Sequence, residues 1–180
     1  MANGKTQSVV TMHLIPHGKF KIIVMDNPSE TAIPTYADQL KIYGVTDVVR
    51  TCEQTYEPEQ FESKGIRVHE MTFADGAPPP DEIIQKWVDL VTLRSKSKDP
   101  TEIGVLAVHC VAGLGRAPVM AAVALIEMTG IDPMEAVEKI RERQKGAINA
   151  RQLKFLQTYV RKNKKGLLEG GAGCTCQVMQ

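Results

Sequence analysis

Four cysteines in 180 residues, Cys52, Cys110, Cys174 and Cys176, are too few and too unevenly spread to build a disulfide framework. Their thiols are expected to stay reduced in a cytoplasmic setting, kept for packing, metal binding or chemistry. Charge of one sign is equally scarce. With 22 basic and 21 acidic residues the formal net charge is +1, which excludes the strong field of a nucleic-acid binder. No apolar run reaches the length of a membrane span, and the opening MANGKTQSVVTMHLIPHGKF has no apolar stretch long enough for a secretory signal. The start Met1–Ala2 is not the Met–Gly of N-myristoylation, so membrane contact is expected only from the other end.

What is present is 43% hydrophobic residues, enough for one core in a chain of single-domain length. KFKIIVMD, TDVVRTC, IRVHEMTF and IGVLAVHC are rich in Val and Ile and bounded by turn residues, which predicts strands, the near-continuous apolar ones in central positions. Helical patterns lie around Thr35–Tyr43 and Asp81–Leu93, the latter with Ile84, Trp87, Val88 and Val91 on one stripe. Three more are predicted over Ala117–Met128, Pro133–Gln144 and Ala150–Asn163. Asp132, Pro133 and Glu135 read as a capping box, and Asn149 with Gln152 repeats the signal. The alternation predicts an α/β fold, a central, mostly parallel twisted sheet flanked by helices, without internal repeat or interdomain linker. One domain is expected over 1–165, with its core at about 20–163, followed by a flexible tail over 166–180.

The informative stretch is VHCVAGLGRAPV, Val108–Val119: strand, glycine-bearing turn, helix start. Ligands of open α/β sheets collect at such carboxyl ends of strands. Five residues, Val111, Ala112, Gly113, Leu114 and Gly115, separate Cys110 from Arg116, and a loop that short can converge its N–H groups on one anion. Gly113 and Gly115 remove blocking side chains and permit positive φ, and Pro118 suits a first helical turn. A cysteine there, beside a guanidinium, is expected as a nucleophilic thiolate. Arg116 can grip two phosphoryl oxygens and stabilise the charge that develops on them. A lone cysteine after an apolar strand is more often a buried packing residue. Nucleotide loops fail on spacing: the third glycine of the dinucleotide fingerprint is missing, and no Gly-Lys-Ser/Thr follows, so no cofactor is expected. The whole string decides otherwise, because His109, Cys110, Gly113 and Arg116 reproduce the HCxxGxxR signature of the protein tyrosine phosphatase superfamily.

The stretch resembles the phosphatases of regenerating liver almost residue for residue. YGVTDVVRTCEQTY, FADGAPPP and KGAINARQLKFL are similar to that family's early strand, acid loop and last helix junction, so the likeness covers roughly residues 20–160. It implies a small dual-specificity phosphatase fold and transfer of phosphate from a phosphotyrosine protein or other phosphomonoester to Cys110. It implies Asp75 as the general acid that protonates the leaving oxygen. Many relatives carry WPFDDG where this chain has MTFADG, so Ala74 removes one of two neighbouring carboxylates. Ala117 stands where most tyrosine phosphatases have a hydroxyl that helps the thiolate depart, so slow hydrolysis of the phosphocysteine is expected. In relatives the counterpart of Cys52 forms a disulfide with the nucleophile, which implies a redox partner for Cys110. The family also implies binding to cyclin M magnesium transporters, with the pocket serving recognition and the phosphocysteine as a switch.

The end of the chain, RKNKKGLLEGGAGCTCQVMQ, sets a basic cluster before two cysteines. Alone, Arg161–Lys165 reads as a solvated helix end whose cations complement the dipole. Relatives end in a prenylation box after basic residues, suited to the anionic cytoplasmic face of plasma or endosomal membranes. Here Cys176 is fifth from the end, with Gln177 at the fourth position, so CQVMQ is an elongated box and Cys176 the lipidation candidate. Two thiols cannot close a zinc shell, so no metal is expected. A homo-oligomer is left open.

Overall fold

Phe20–Met25 (β2) and Val105–His109 (β5) are apolar almost throughout, as strands covered on both faces must be. In the computed structural model, which describes residues 10–95 and 105–163, they lie side by side and parallel, Ile22 opposite Leu106 and Val24 opposite Val108. Asp47–Arg50 (β3) pairs parallel with the other side of β5, and Arg67–Glu70 (β4) parallel with β3. Met12–His17 (β1) pairs antiparallel with β2, giving the order β1-β2-β5-β3-β4. The predicted mostly parallel α/β sheet is the one observed.

β1 was not predicted. Pro16 and the polar His13 and His17 hide its alternation, and proline is tolerated because β1 is an edge strand. It turns into β2 through Gly18, whose φ of 57° a side chain would rarely adopt.

Alternation within the strands sorts the core into two layers. Ile22, Val24, Val49, Leu106 and Val108 pack with the helices Asp81–Ser95 (α3), Arg116–Thr129 (α4), Pro133–Arg143 (α5) and Ala150–Gln157 (α6). Ile23, Met25, Val48, Val105 and Ala107 pack with Ile33–Ile42 (α1) and the short Glu59–Glu62 (α2), which the sequence pattern did not announce. The predicted stripe Ile84, Trp87, Val88 and Val91 is buried, and the Trp87 indole donates to Met120 O at 2.8 Å, tying α3 to α4. Residues 116–128 of α4 are all buried, and its alanines at 121, 122 and 124 let neighbouring elements approach a central helix.

Two helix ends differ from expectation. Asp132 caps α5 by accepting from Met134 N at 2.8 Å, one residue short of the predicted box with Glu135. Helix α6 has its predicted reciprocal cap but ends at Gln157 instead of Asn163, because a buried carboxylate on α4 claims the segment that follows. Glu127 accepts from Tyr159 Oη at 2.7 Å, Lys162 N at 2.7 Å and Asn163 N at 2.8 Å. Arg161 donates to Glu127 O at 3.0 Å, so this cation serves the last turn of α4 and not that of α6. Residues 164–180, which include the end of the basic cluster, Cys174 and Cys176, lie outside the described residues. Among the described residues no helix is long and apolar enough to cross a membrane.

Candidate active site

Because β2, β5, β3 and β4 run parallel, their carboxyl ends open on one edge of the sheet, and the four segments that follow meet there. The loop after β5 carries Cys110 and runs through Gly115 into α4. Its carbonyls turn outward: Val111 O accepts from Asn27 N at 3.0 Å and Leu114 O from Ile148 N at 2.9 Å. In trans-planar peptides this turns the N–H groups of Ala112 and Gly115 the opposite way, toward the loop interior. Gly113 has φ +67°, and a Cβ there would lie 3.1 Å from Met25 O and 3.0 Å from Gln144 Nε2. Gly115 differs from expectation, since its φ is −122° and a Cβ would meet Gln152 only at ordinary contact distance.

Arg116, the first residue of α4, is buried, and its Nη1 donates to Thr51 O at 3.3 Å and Phe73 O at 3.2 Å. Phe73 is itself fixed by donating its N–H to Thr51 O at 3.4 Å, so the exits of β3 and β4 jointly orient the guanidinium. Asp75, in the turn closed by Gly76 at φ +68°, comes to the same guanidinium, Oδ1 3.1 Å from Nε. This distance makes an ion pair, although the N–H is not aligned for a hydrogen bond. The Asp75 side chain is 81% exposed, so the pairing is open to exchange.

Asp75, Cys110, Val111, Ala112, Leu114 and Gly115 line one cavity of about 320 Å³, together with Gly76, Gly146 and Asn149. Cys110 is nearly buried at its base, whereas Val111 and Leu114 stand exposed at its rim. The structure thus gathers the sequence-selected nucleophile, acid and arginine, and adds Gly146 and Asn149 from the junction before α6. Ala117 lies fully buried in the first turn of α4.

Cys52 is buried and unpaired, as is Cys110. Burial pushes the Cys52 thiol up, the charge of Arg116 opposes this, and the charge of Cys110 reinforces it, so the two sulfurs feel one another's field. Among the described residues no group of three or more His, Cys, Asp or Glu could hold a metal ion.

Behind the loop lies a polar network that sequence reasoning missed. His109 Nδ1 is 3.3 Å from Cys110 O, and Nε2 is 2.7 Å from Tyr56 Oη. Burial lowers the His109 pKa to about 4, so the ring is neutral at neutral pH. A carbonyl only accepts, which assigns the proton to Nδ1 and leaves Nε2 to accept the Tyr56 hydroxyl. Thr51 donates both its N–H and its hydroxyl to His109 O, at 2.9 and 2.7 Å. Tyr56 is held in turn by Arg50, whose Nη1 donates to Tyr56 O at 2.7 Å, whose Cζ lies 4.4 Å from the ring centroid, and whose other nitrogens grip Glu70. One signal was available: an arginine inside the apolar run VVRTC must be buried with partners.

Comparison with known proteins agrees with this architecture. A family model described as PTP-SAK, Swiss Army Knife protein, DSP-PTPase phosphatase domain, matches residues 15–164. The chain is 43% identical to a probable protein tyrosine phosphatase type IVA A of Dictyostelium discoideum, over 84% of this chain and 89% of that one. It is 44% identical to the protein tyrosine phosphatase PRL-1 of Trypanosoma cruzi, over 89% of each. Among solved structures, a putative protein tyrosine phosphatase from Leishmania major superposes with a TM-score of 0.72 at 34% identity, covering 86% of this chain and all of that one. With its HCxxGxxR loop and this degree of likeness along the folded chain, the protein belongs to the PRL, or type IVA, protein tyrosine phosphatases.

Proposed function

We propose that the protein removes phosphate from phosphotyrosine or a related phosphomonoester in two steps, the second slow. Cys110 Sγ attacks phosphorus, the bond from phosphorus to the substrate oxygen breaks, and Asp75 gives its proton to that oxygen. Water then attacks the phosphocysteine and gives a proton to the Asp75 carboxylate, the sulfur–phosphorus bond breaks, phosphate leaves and the thiolate returns. The observation that carries this reading is the convergence of Asp75 on the buried, carbonyl-anchored Arg116 at the mouth of the cavity holding Cys110. Arg116 would hold the phosphoryl oxygens, with the inward N–H groups of Ala112 and Gly115 beside them. Ala117 offers no hydroxyl to the departing thiolate, hence the slow second step. A rapid-mixing assay with an aryl phosphate tests this: one equivalent of phenol released in a burst supports it, and a linear trace from zero overturns it.

A second reading, recognition of a partner such as a cyclin M type magnesium transporter, is favoured by one observation. The arginine pairs with a carboxylate, so an acidic side chain presented by a partner matches the cavity, and the exposed Val111 and Leu114 offer an apolar collar. Phosphate on Cys110 would block it. Oxidation by a peroxide would act likewise: the peroxide is reduced as the Cys110 thiolate becomes a sulfenic acid, which the Cys52 thiol captures as a disulfide with loss of water. Farnesylation at Cys176, with anchorage to an anionic membrane surface, belongs to the same reading. Equal affinity of free and phosphorylated protein for the transporter's regulatory domain would defeat the switch.

A further inference from the structure

The junction between α5 and α6, residues 144–149, touches both loops of the cavity. Toward the phosphate loop, Ile148 donates its N–H to Leu114 O at 2.9 Å. Toward the acid loop, Asn149 Nδ2 donates to Gly76 O at 3.0 Å and Gln152 Nε2 donates to Ala77 O at 3.1 Å. Gly76 and Ala77 are the two residues that follow Asp75.

The other half of each amide is committed to α6. Asn149 Oδ1 accepts from Gln152 N at 2.9 Å, and Gln152 Oε1 accepts from Asn149 N at 3.2 Å. Each side chain thus caps the helix with its oxygen and holds the acid loop with its nitrogen. Gln152 is fully buried, so a departing loop strips a buried donor of its acceptor, which costs more than the bond is worth in water. A helix cap alone uses only the oxygen of Asn149, and serine or aspartate serves as well. The amide nitrogens are the unexplained feature.

The backbone between the two contacts is strained. Ile148 has φ +66°, the only positive φ at a non-glycine among the described residues, and it is β-branched. Such a conformation persists where its surroundings over-determine it. Here Arg141 does so, Nε donating to Ala147 O at 3.0 Å and Nη2 to Ile148 O at 2.9 Å. The turn it enforces aims the Ile148 N–H at the phosphate loop and sets Asn149 at the cavity mouth.

We propose that this junction is a clasp: Asn149 and Gln152 are positioning residues that keep the acid loop closed, with Asp75 over Cys110, and Arg141 braces them through the Ile148 backbone. The proposal rests on the reading of Asp75 as proton donor. Its consequence is selective. A loosened acid loop impairs protonation of the leaving oxygen, which matters for a basic leaving group and little for an acidic one.

The test compares kcat/KM for phenyl phosphate and for para-nitrophenyl phosphate, since kcat/KM reports phosphoryl transfer to Cys110 whatever limits the second step. Asn149→Ser keeps a neutral helix cap but is too short to reach Gly76, and Gln152→Glu keeps the acceptor for Asn149 N but sets an oxygen against Ala77 O. Each variant should lose about three- to tenfold more on phenyl phosphate than on para-nitrophenyl phosphate, the range one hydrogen bond carries. In an Asp75→Asn background the same changes should add nothing to that difference. Equal losses on both substrates, or a difference that survives in the Asp75→Asn background, would reduce Asn149 and Gln152 to capping residues and overturn the clasp while leaving Asp75 its role. If Asp75→Asn itself fails to discriminate between the substrates, the acid assignment falls and takes the clasp with it.

Discussion

The β3–β4 pair sets an aspartate against arginine at each end, to opposite effect. At its start Asp47 is fully buried and saturated: Thr46 Oγ1 donates at 2.6 Å, His69 Nε2 lies at 2.8 Å, Arg94 Nη2 donates at 2.8 Å, and Arg67 Nε lies 3.2 Å away. Past its end, Asp75 meets Arg116 through a single ion pair with most of its surface in water. Burial pushes the Asp47 carboxyl up, but the bonds from His69, Arg94 and Thr46 and the charge of Arg94 outweigh it and hold the group well below the usual carboxylate range. A carboxylate so enclosed fastens α3 and β4 to β3. One left exposed beside a cavity can trade its partner for a substrate.

The largest effects should fall at the cavity. Cys110→Ser should reduce turnover of an aryl phosphate to background with the fold intact, and activity persisting in that variant would remove the nucleophile. Arg116→Lys should cost about 10²–10³ in rate, because a point charge cannot replace a fork held by two carbonyls. The aspartates then separate. Asp75→Ala should lower kcat/KM on basic leaving groups by about 10²–10⁴ and leave thermal unfolding unchanged. Asp47→Ala should do the reverse, costing about 3 kcal/mol of stability, since Arg94 is left buried while Arg67 and His69 regain water. Denaturant titration with kinetics on both variants decides this, and a stability loss in Asp75→Ala comparable to that in Asp47→Ala would erase the distinction.

Acid should probe the same contrast between enclosed groups. His109 is neutral in the fold down to about pH 4, whereas the unfolded imidazole binds a proton below about 6.5. The unfolded state therefore holds the extra proton in that window, and stability should fall by about 3 kcal/mol as pH drops from 6.5 to 4. Below it the depressed Asp47 takes over, with stability that is present above the unfolded carboxylate value and lost as pH falls through the folded one. His109→Gln should flatten the upper window only. Identical acid profiles for both proteins, followed by circular dichroism, would show that His109 is not neutral in the fold.

The same division marks what the chain revealed before its structure was known. The apolar runs of β2 and β5, the α3 stripe and the Cys110–Arg116 loop are local patterns, where adjacent residues carry the whole signal. The contacts of Arg50 with Glu70, of Tyr56 with His109 and of Gln152 with Ala77 join residues 20, 53 and 75 apart, and no periodicity encodes them. Asn149 and Gln152 were legible as a cap because that half of their bonding is local, and illegible as a clasp because the other half is not. β1 escaped because Pro16 and two histidines mask an edge strand, and the end of α6 because its competitor, Glu127, lies on another helix.

The smallest change concerns Ala117, one methyl group in the first turn of α4, and it sharpens the contrast from the helix that follows the cavity loop. On the proposed mechanism phosphocysteine formation draws on Cys110, Arg116 and Asp75, whereas its hydrolysis would need a donor near the leaving sulfur that alanine lacks. The first step should outrun the second, and the burst should be followed by slow release. Ala117→Ser adds one oxygen at a fully buried position, at an overpacking cost of about 1 kcal/mol or more, so the midpoint of thermal unfolding should fall by a few degrees. Despite that loss the slow phase should quicken several-fold while the burst rate stays within about twofold, an effect of about 1 kcal/mol on one barrier only. Stopped-flow release of phenol with excess substrate measures both phases in one trace. A serine variant that leaves the slow phase unchanged would show that the missing hydroxyl does not limit turnover, and the origin of the slow step would then have to be sought in opening of the acid loop.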